Sequence, residues 1–145
     1  MPYKFIFPKK DAWISEASSS VNFGGDQVLE LVKEYDTLNP NTFVGVTRML
    51  FQFDMTSLSS SIANGEIPTV DTGSADSPKF FLKLYSTEAS ELPTSYTLDA
   101  NALSQSWEEG TGYKNDNPII KDGTTWESTD ARYTSSLYDW YGNDH

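Results

Sequence analysis

Residues 43–54, Phe-Val-Gly-Val-Thr-Arg-Met-Leu-Phe-Gln-Phe-Asp, constrain the fold of this chain more than any other stretch. The run is rich in β-branched and aromatic residues and alternates with a two-residue period. It stops at Asp54, ahead of Met55-Thr56-Ser57-Leu58. Successive side chains of a strand point to opposite faces, so Met49, Phe51 and Phe53 are expected to form the core face, with Leu50 opposite. No segment carries the 3.6-residue stripe of a long amphipathic helix, which excludes helical bundles and βαβ folds. The expected fold class is all-β.

Shorter alternating runs surround this strand. Tyr3, Phe5 and Phe7 alternate with Lys4 and Ile6 until Pro8, which removes a ladder donor. Residues 11–16 place Ala12 and Ile14 on one face and Trp13 on the other. Residues 28–35 resume a strand, residues 79–86 alternate with Phe80, Leu82 and Leu84 inward, and residues 96–100 are a weaker strand. Turn formers separate these runs: residues 17–26 with Gly24-Gly25, to which positive φ is open, and then Asn39-Pro40-Asn41. A short helix is expected near residues 57–63, capped by the Asp54 carboxylate and closed by Asn64-Gly65. Arg48, set among apolar neighbours, is expected to pair with a carboxylate such as Asp54.

The 145 residues fit a single β-sandwich domain, 1–145, with a core built largely from rings, since 14% of the chain is aromatic. The runs fall short of the roughly seven or eight strands of a two-sheet sandwich, so a sandwich truncated at its C-terminus, or one whose open edge a partner covers, is expected. The net charge of −11 is concentrated late: from Asp99 onward nine acidic residues oppose Lys114, Lys121 and Arg132. Such a surface repels phosphate backbones and anionic lipid, which disfavours nucleic acid and membrane insertion. The absence of cysteine rules out disulfides and thiolate chemistry.

The motifs, taken in order, resemble the DNRLRE-type, TGF-β-propeptide-like jelly-roll domain. The matching residues are Asp11-Ala12-Trp13-Ile14-Ser15-Glu16, Asn22-Phe23-Gly24, Arg48-Met49-Leu50-Phe51-Gln52-Phe53-Asp54, Phe81-Leu82-Lys83-Leu84-Tyr85 and Ser106-Trp107-Glu108-Glu109-Gly110-Thr111-Gly112. Asp122-Gly123-Thr124-Thr125-Trp126-Glu127 is similar to a version found in phage virion structural proteins. The family's last strands, one rich in valine and threonine and one with an Asn-Tyr/Asn-Gly-Phe turn, have no counterpart here. The resemblance implies a jelly-roll-like sandwich and a non-catalytic role, as a virion protein or a carbohydrate-binding module.

Candidate chemistry divides three ways. Catalysis is disfavoured: His145 is the one histidine and ends the chain, and the adjacent Glu108 and Glu109 point apart if they lie on a strand. Calcium would call on oxygens from Asp11, Asn22 and Asp26, with carbonyls of the Gly24-Gly25 loop, although ordinary Asx turns explain the same residues. A glycan or protein interface would use Trp126, Tyr133, Tyr138, Trp140 and Tyr141 with Asp130 and Arg132, because sugar C–H faces stack on rings while hydroxyls pair with planar polar groups. Trp107 is read as core.

The expectation is a non-enzymatic virion protein (decoration, neck, tail or baseplate) that docks on other virion proteins in multiple symmetric copies and contacts host surface polysaccharide. Met1 runs almost directly into the first strand without an export signal, which agrees with synthesis in the host cytoplasm and exposure after lysis. The alternative is a carbohydrate-binding module of a secreted or cell-surface, hence extracellular, bacterial protein.

Overall fold

The computed structural model describes residues 3–71, 73–75, 77–87 and 95–140. Its regular structure is mainly β. Strands β1 (Pro8–Ser15), β2 (Lys33–Tyr35) and β3 (Phe43–Phe53) form one sheet in the order β1-β3-β2. β2 runs antiparallel to β3, with Lys33 opposite Val46 and Glu34 opposite Gly45; the register then slips, so that Tyr35 meets Phe43. Among the described residues, helix α1 (Thr56–Ala63) and a 3₁₀ turn at Ser136–Tyr138 complete the regular elements. The chain divides into two compact units, Met1–Lys9 with Phe53–Thr97 and Lys10–Gln52 with Leu98–His145.

The larger unit holds the core. Ala12 and Ile14 of β1, Leu50 of β3, Trp107 and Trp126 form one buried cluster, with Val46 and Trp140 packed against it. Val46, Arg48 and Leu50 share a face of β3, and the Arg48 guanidinium carbon lies 4.5 Å from the centre of the Trp126 ring. The core face of β3 is therefore the one expected to lie opposite. Met49, Phe51 and Phe53 are only half-buried, because the two tryptophans that create the core come from residues far downstream and pack on the Leu50 side. Arg48 accordingly uses a ring as its partner where a carboxylate was expected, a cation–π contact that leaves the guanidinium exposed. Thr47, on the other face, ties down the segment before β2: its hydroxyl donates to Glu30 O at 2.8 Å and accepts from Val32 N–H at 2.7 Å.

In the smaller unit, α1 follows the expected signals closely. Thr56 N–H donates to Asp54 Oδ1 at 2.9 Å, and the Thr56 hydroxyl and N–H hold the Asp54 carboxyl below its usual pKa. Met55 is the N-cap residue, so Asp54 acts one position earlier, through an Asx turn. Asn64 ends the helix, and Gly65 takes φ +73, the left-handed conformation that glycine adopts without a Cβ clash. Leu58 and Ser61 are buried, and Lys4 Nζ reaches Ser57 O at 2.8 Å and Ser61 Oγ at 2.7 Å.

Four expected strands differ. Residues 3–7 are not a strand, and Tyr3, Phe5 and Phe7 are exposed; the strand begins at Pro8, where Pro8 was expected to stop it. Only Lys33–Tyr35 of residues 28–35 forms a ladder. Residues 79–86 and 96–100 form no strand, and Phe80, Leu82 and Leu84 face solvent. A period of two makes a segment eligible for a sheet, but a strand also needs a partner strand, and none of the described residues pairs with these segments in a ladder.

Candidate functional site

Three loops of the larger unit are fastened around one side chain. Asn22 is fully buried. Its Nδ2 donates to Glu109 O and to Thr124 O, both at 2.8 Å, and its Oδ1 accepts from Gly112 N–H at 2.9 Å and Gly24 N–H at 3.3 Å. Two donors and two acceptor sites are the whole capacity of an amide side chain. The loops approach so closely that glycine is required at the contacts. A Cβ on Gly24 would fall on the Glu109 carbonyl, and Gly110 has φ +78 with its would-be Cβ lying on the Asn22 amide. The Gly24-Gly25 pair thus serves close approach, while the positive φ sits at Gly110. Gly25 N–H to Gly112 O at 2.8 Å and Thr124 N–H to Glu108 O at 2.6 Å extend the same join.

Beside this knot, Trp13 stacks on Phe23 with ring centres 3.9 Å apart and planes at 13°. Its Nε1–H donates to Asp26 Oδ2 at 3.0 Å, and Lys114 Nζ lies 5.6 Å over the ring while bonding Glu30 at 2.7 Å. The residues weighed for calcium are thus drawn into protein contacts. Asn22 Oδ1 takes two N–H groups, Asp26 accepts from Trp13 and from Lys114 N–H, and Asp11 donates its own N–H to Glu109 Oε1 at 2.9 Å. Among the described residues no three His, Cys, Asp or Glu side chains converge to hold a metal ion.

The aromatic candidates separate into two groups. Trp126 lies in the core, and Trp140 packs against it with its Nε1–H on Thr125 O at 2.9 Å. Asp130, Arg132, Tyr133 and Tyr138 come together at the surface. The buried Asp130 carboxylate accepts Arg132 Nε at 2.9 Å and Nη2 at 2.6 Å, a fork-on-carboxylate pair that fixes the guanidinium plane. This bond lowers the Asp130 pKa and raises that of Arg132. The Arg132 guanidinium carbon stands 5.7 Å from the Tyr133 ring centre, and Tyr133 stacks on Tyr138 at 4.4 Å and 16°. Half of Tyr133 is exposed, and Leu137 next to this stack is 77% exposed. Tyr141 lies outside the described residues.

Sequence reasoning missed three contributors: Asn22 as a three-loop fastener, the Glu30–Lys114 pair, and Leu137. Only the glycine spacing Gly110-x-Gly112 hinted at the first. The arrangement defines a β-rich domain with rigid, acidic loops presenting one ordered tyrosine–arginine surface. No family model, curated protein or solved structure matches the chain.

Proposed function

We propose that this chain is a non-enzymatic structural protein of a phage particle, a decoration, neck, tail or baseplate component on a jelly-roll-like sandwich, and that it works by docking. One observation carries the docking part. Among the described residues eight hydrophobic side chains are buried, whereas Phe80, Phe81, Leu82, Leu84 and Tyr85, interrupted only by Lys83, are exposed, and Tyr3, Phe5 and Phe7 are exposed as well. Contiguous apolar surface of this kind marks sites where another macromolecule packs. The virion setting is supported by the motif order and by residues 122–127, and the acidic surface points the chain toward protein partners and away from nucleic acid. Mass spectrometry and cryo-electron microscopy of purified particles test the proposal. The expected result is the chain in multiple symmetric copies on the particle; particles that lack it refute the virion role.

A second reading, a carbohydrate-binding module, is favoured by the Tyr133–Tyr138 stack beside the fixed Arg132 guanidinium. A polysaccharide pull-down or glycan array with the isolated chain tests it. Binding that disappears in Tyr133→Ala while the fold persists supports this reading, and absence of binding removes it.

A further inference from the structure

Two exposed segments of the chain are complementary to each other. Residues 79–85, Lys-Phe-Phe-Leu-Lys-Leu-Tyr, keep the two-residue alternation of a strand, and their backbone groups have no hydrogen-bond partner among the described residues. Phe81 and Tyr85 are 85% and 77% exposed. The other segment, residues 28–35, ends in β2, an edge strand of the sheet, and its Glu30 and Val32 backbone groups bond Thr47 of β3. Val28, Leu31 and Val32 of this segment are exposed. An edge strand with open backbone groups and apolar side chains is a template for adding another strand.

Charge supplies the register. Lys79 and Lys83 stand four residues apart, and so do Glu30 and Glu34. When the segments are set antiparallel with Lys79 opposite Glu34, Lys83 falls opposite Glu30, Phe81 opposite Val32 and Leu82 opposite Leu31. Opposite charges and apolar pairs directly across a ladder both stabilise it. Glu30 also bonds Lys114 of its own chain at 2.7 Å, and its second neighbour would be Lys83. We propose that residues 79–85 of one copy add as an antiparallel strand to the outer edge formed by residues 28–34, which end in β2, in a second copy. The donor and acceptor are different surfaces, so the contact is head-to-tail, and repeating it gives rings or open arrays. This deepens the docking reading by naming a second copy as an occupant. It is tested on purified protein, so its failure leaves the particle experiment standing.

The test uses the full chain and light scattering after size exclusion over a range of concentrations. Wild-type protein is expected to associate as concentration rises. Lys79→Glu/Lys83→Glu and Glu30→Lys/Glu34→Lys, each checked for fold by tryptophan fluorescence, are expected to elute as monomers. Mixing the two restores association, because each variant's donor then meets an edge of opposite sign. Glu34→Lys alone, which leaves the Glu30–Lys114 pair intact, is expected to weaken association. The chain has no cysteine, so a mixture of Tyr85→Cys and Val28→Cys variants should oxidise to a heterodimer. Four results would overturn the proposal: a monomeric wild type at every concentration, charge variants that associate like wild type, a mixture that stays monomeric, or a Val28→Cys/Tyr85→Cys chain that cross-links only within itself.

Discussion

Removing the Asn22 amide tests the knot directly. Asn22→Ala strands two carbonyls, Glu109 O and Thr124 O, and two N–H groups, those of Gly24 and Gly112. Each buried polar group left without a partner costs about 1–3 kcal/mol, with carbonyls at the lower end where water enters the gap. The sum is roughly 4–8 kcal/mol, a large share of the typical 5–15 kcal/mol of a folded domain. With a urea slope of about 2 kcal/mol/M, the midpoint falls by about 2–4 M. Gly110→Ala supplies an independent arm. A left-handed alanine costs about 1–2 kcal/mol, and overpacking adds about 1–3 kcal/mol, since the new Cβ would lie 2.7 Å from Asn22 Cγ. In the Asn22→Ala background the overlap vanishes and only the backbone strain remains. The double-mutant cycle should therefore show about 1–3 kcal/mol of coupling. Urea titration followed by tryptophan fluorescence reads all four proteins. Additive costs, or an Asn22→Ala midpoint close to wild type, would refute the account of Asn22 as the fastener.

Other expectations follow from single contacts. Leu50→Ala, within the Trp107–Trp126 cluster, is expected to cost about 2–5 kcal/mol and Met49→Ala distinctly less; urea midpoints in the reverse order would return the core to the other face of β3. Because Arg132 lowers the folded pKa of Asp130, their bond stabilises above the unfolded carboxylate value of about 4 and is lost as pH falls below it toward the lowered folded value. Arg132→Gln should therefore lower the thermal midpoint at pH 7, with the gap to wild type closing under acid; a gap that persists there counts against the pair. With Asn22 Oδ1 and the Asp26 carboxylate engaged by N–H groups, millimolar calcium should leave the melting temperature unchanged. A tight site would raise stability by about 2.7 kcal/mol at one hundred times its Kd, and a shift of that kind would show that these oxygens are free to bind.

Local signals along the chain were readable wherever their cause was local. Asp54, Thr56 and Asn64-Gly65 delimit α1 because turn and cap chemistry involves neighbours in sequence. Ala12 and Ile14 separate from Trp13 because the pleat of β1 alone decides it. The face of β3 was not readable, since Met49, Phe51 and Phe53 make an unbroken apolar row whereas Arg48 and Gln52 interrupt the face of Val46 and Leu50, and the choice was made by tryptophans more than fifty residues downstream. Asn22 was equally opaque, because an asparagine in a turn-rich loop looks like an Asx turn until Glu109 and Thr124 are placed beside it. At the surface, Asp130, Arg132, Tyr133 and Tyr138 lie close in sequence and were grouped from it, whereas Trp126 had the same composition around it and went into the core.

The Asn22 knot also sets a timetable. Its partners Glu109 and Thr124 lie 87 and 102 residues later in the chain. At a synthesis rate of about 5–20 residues per second, Asn22 waits roughly 5–20 s for the second of them to be made. For most of that interval Ile14 and Leu50 lack Trp107 and Trp126 to cover them, and Gly24 and Gly25 lack Glu109 and Gly112 to close upon. Folding of the larger unit is thus held until Thr124 and Trp126 have been made, which makes the growing polypeptide, more than the finished domain, the species that cellular chaperones must protect.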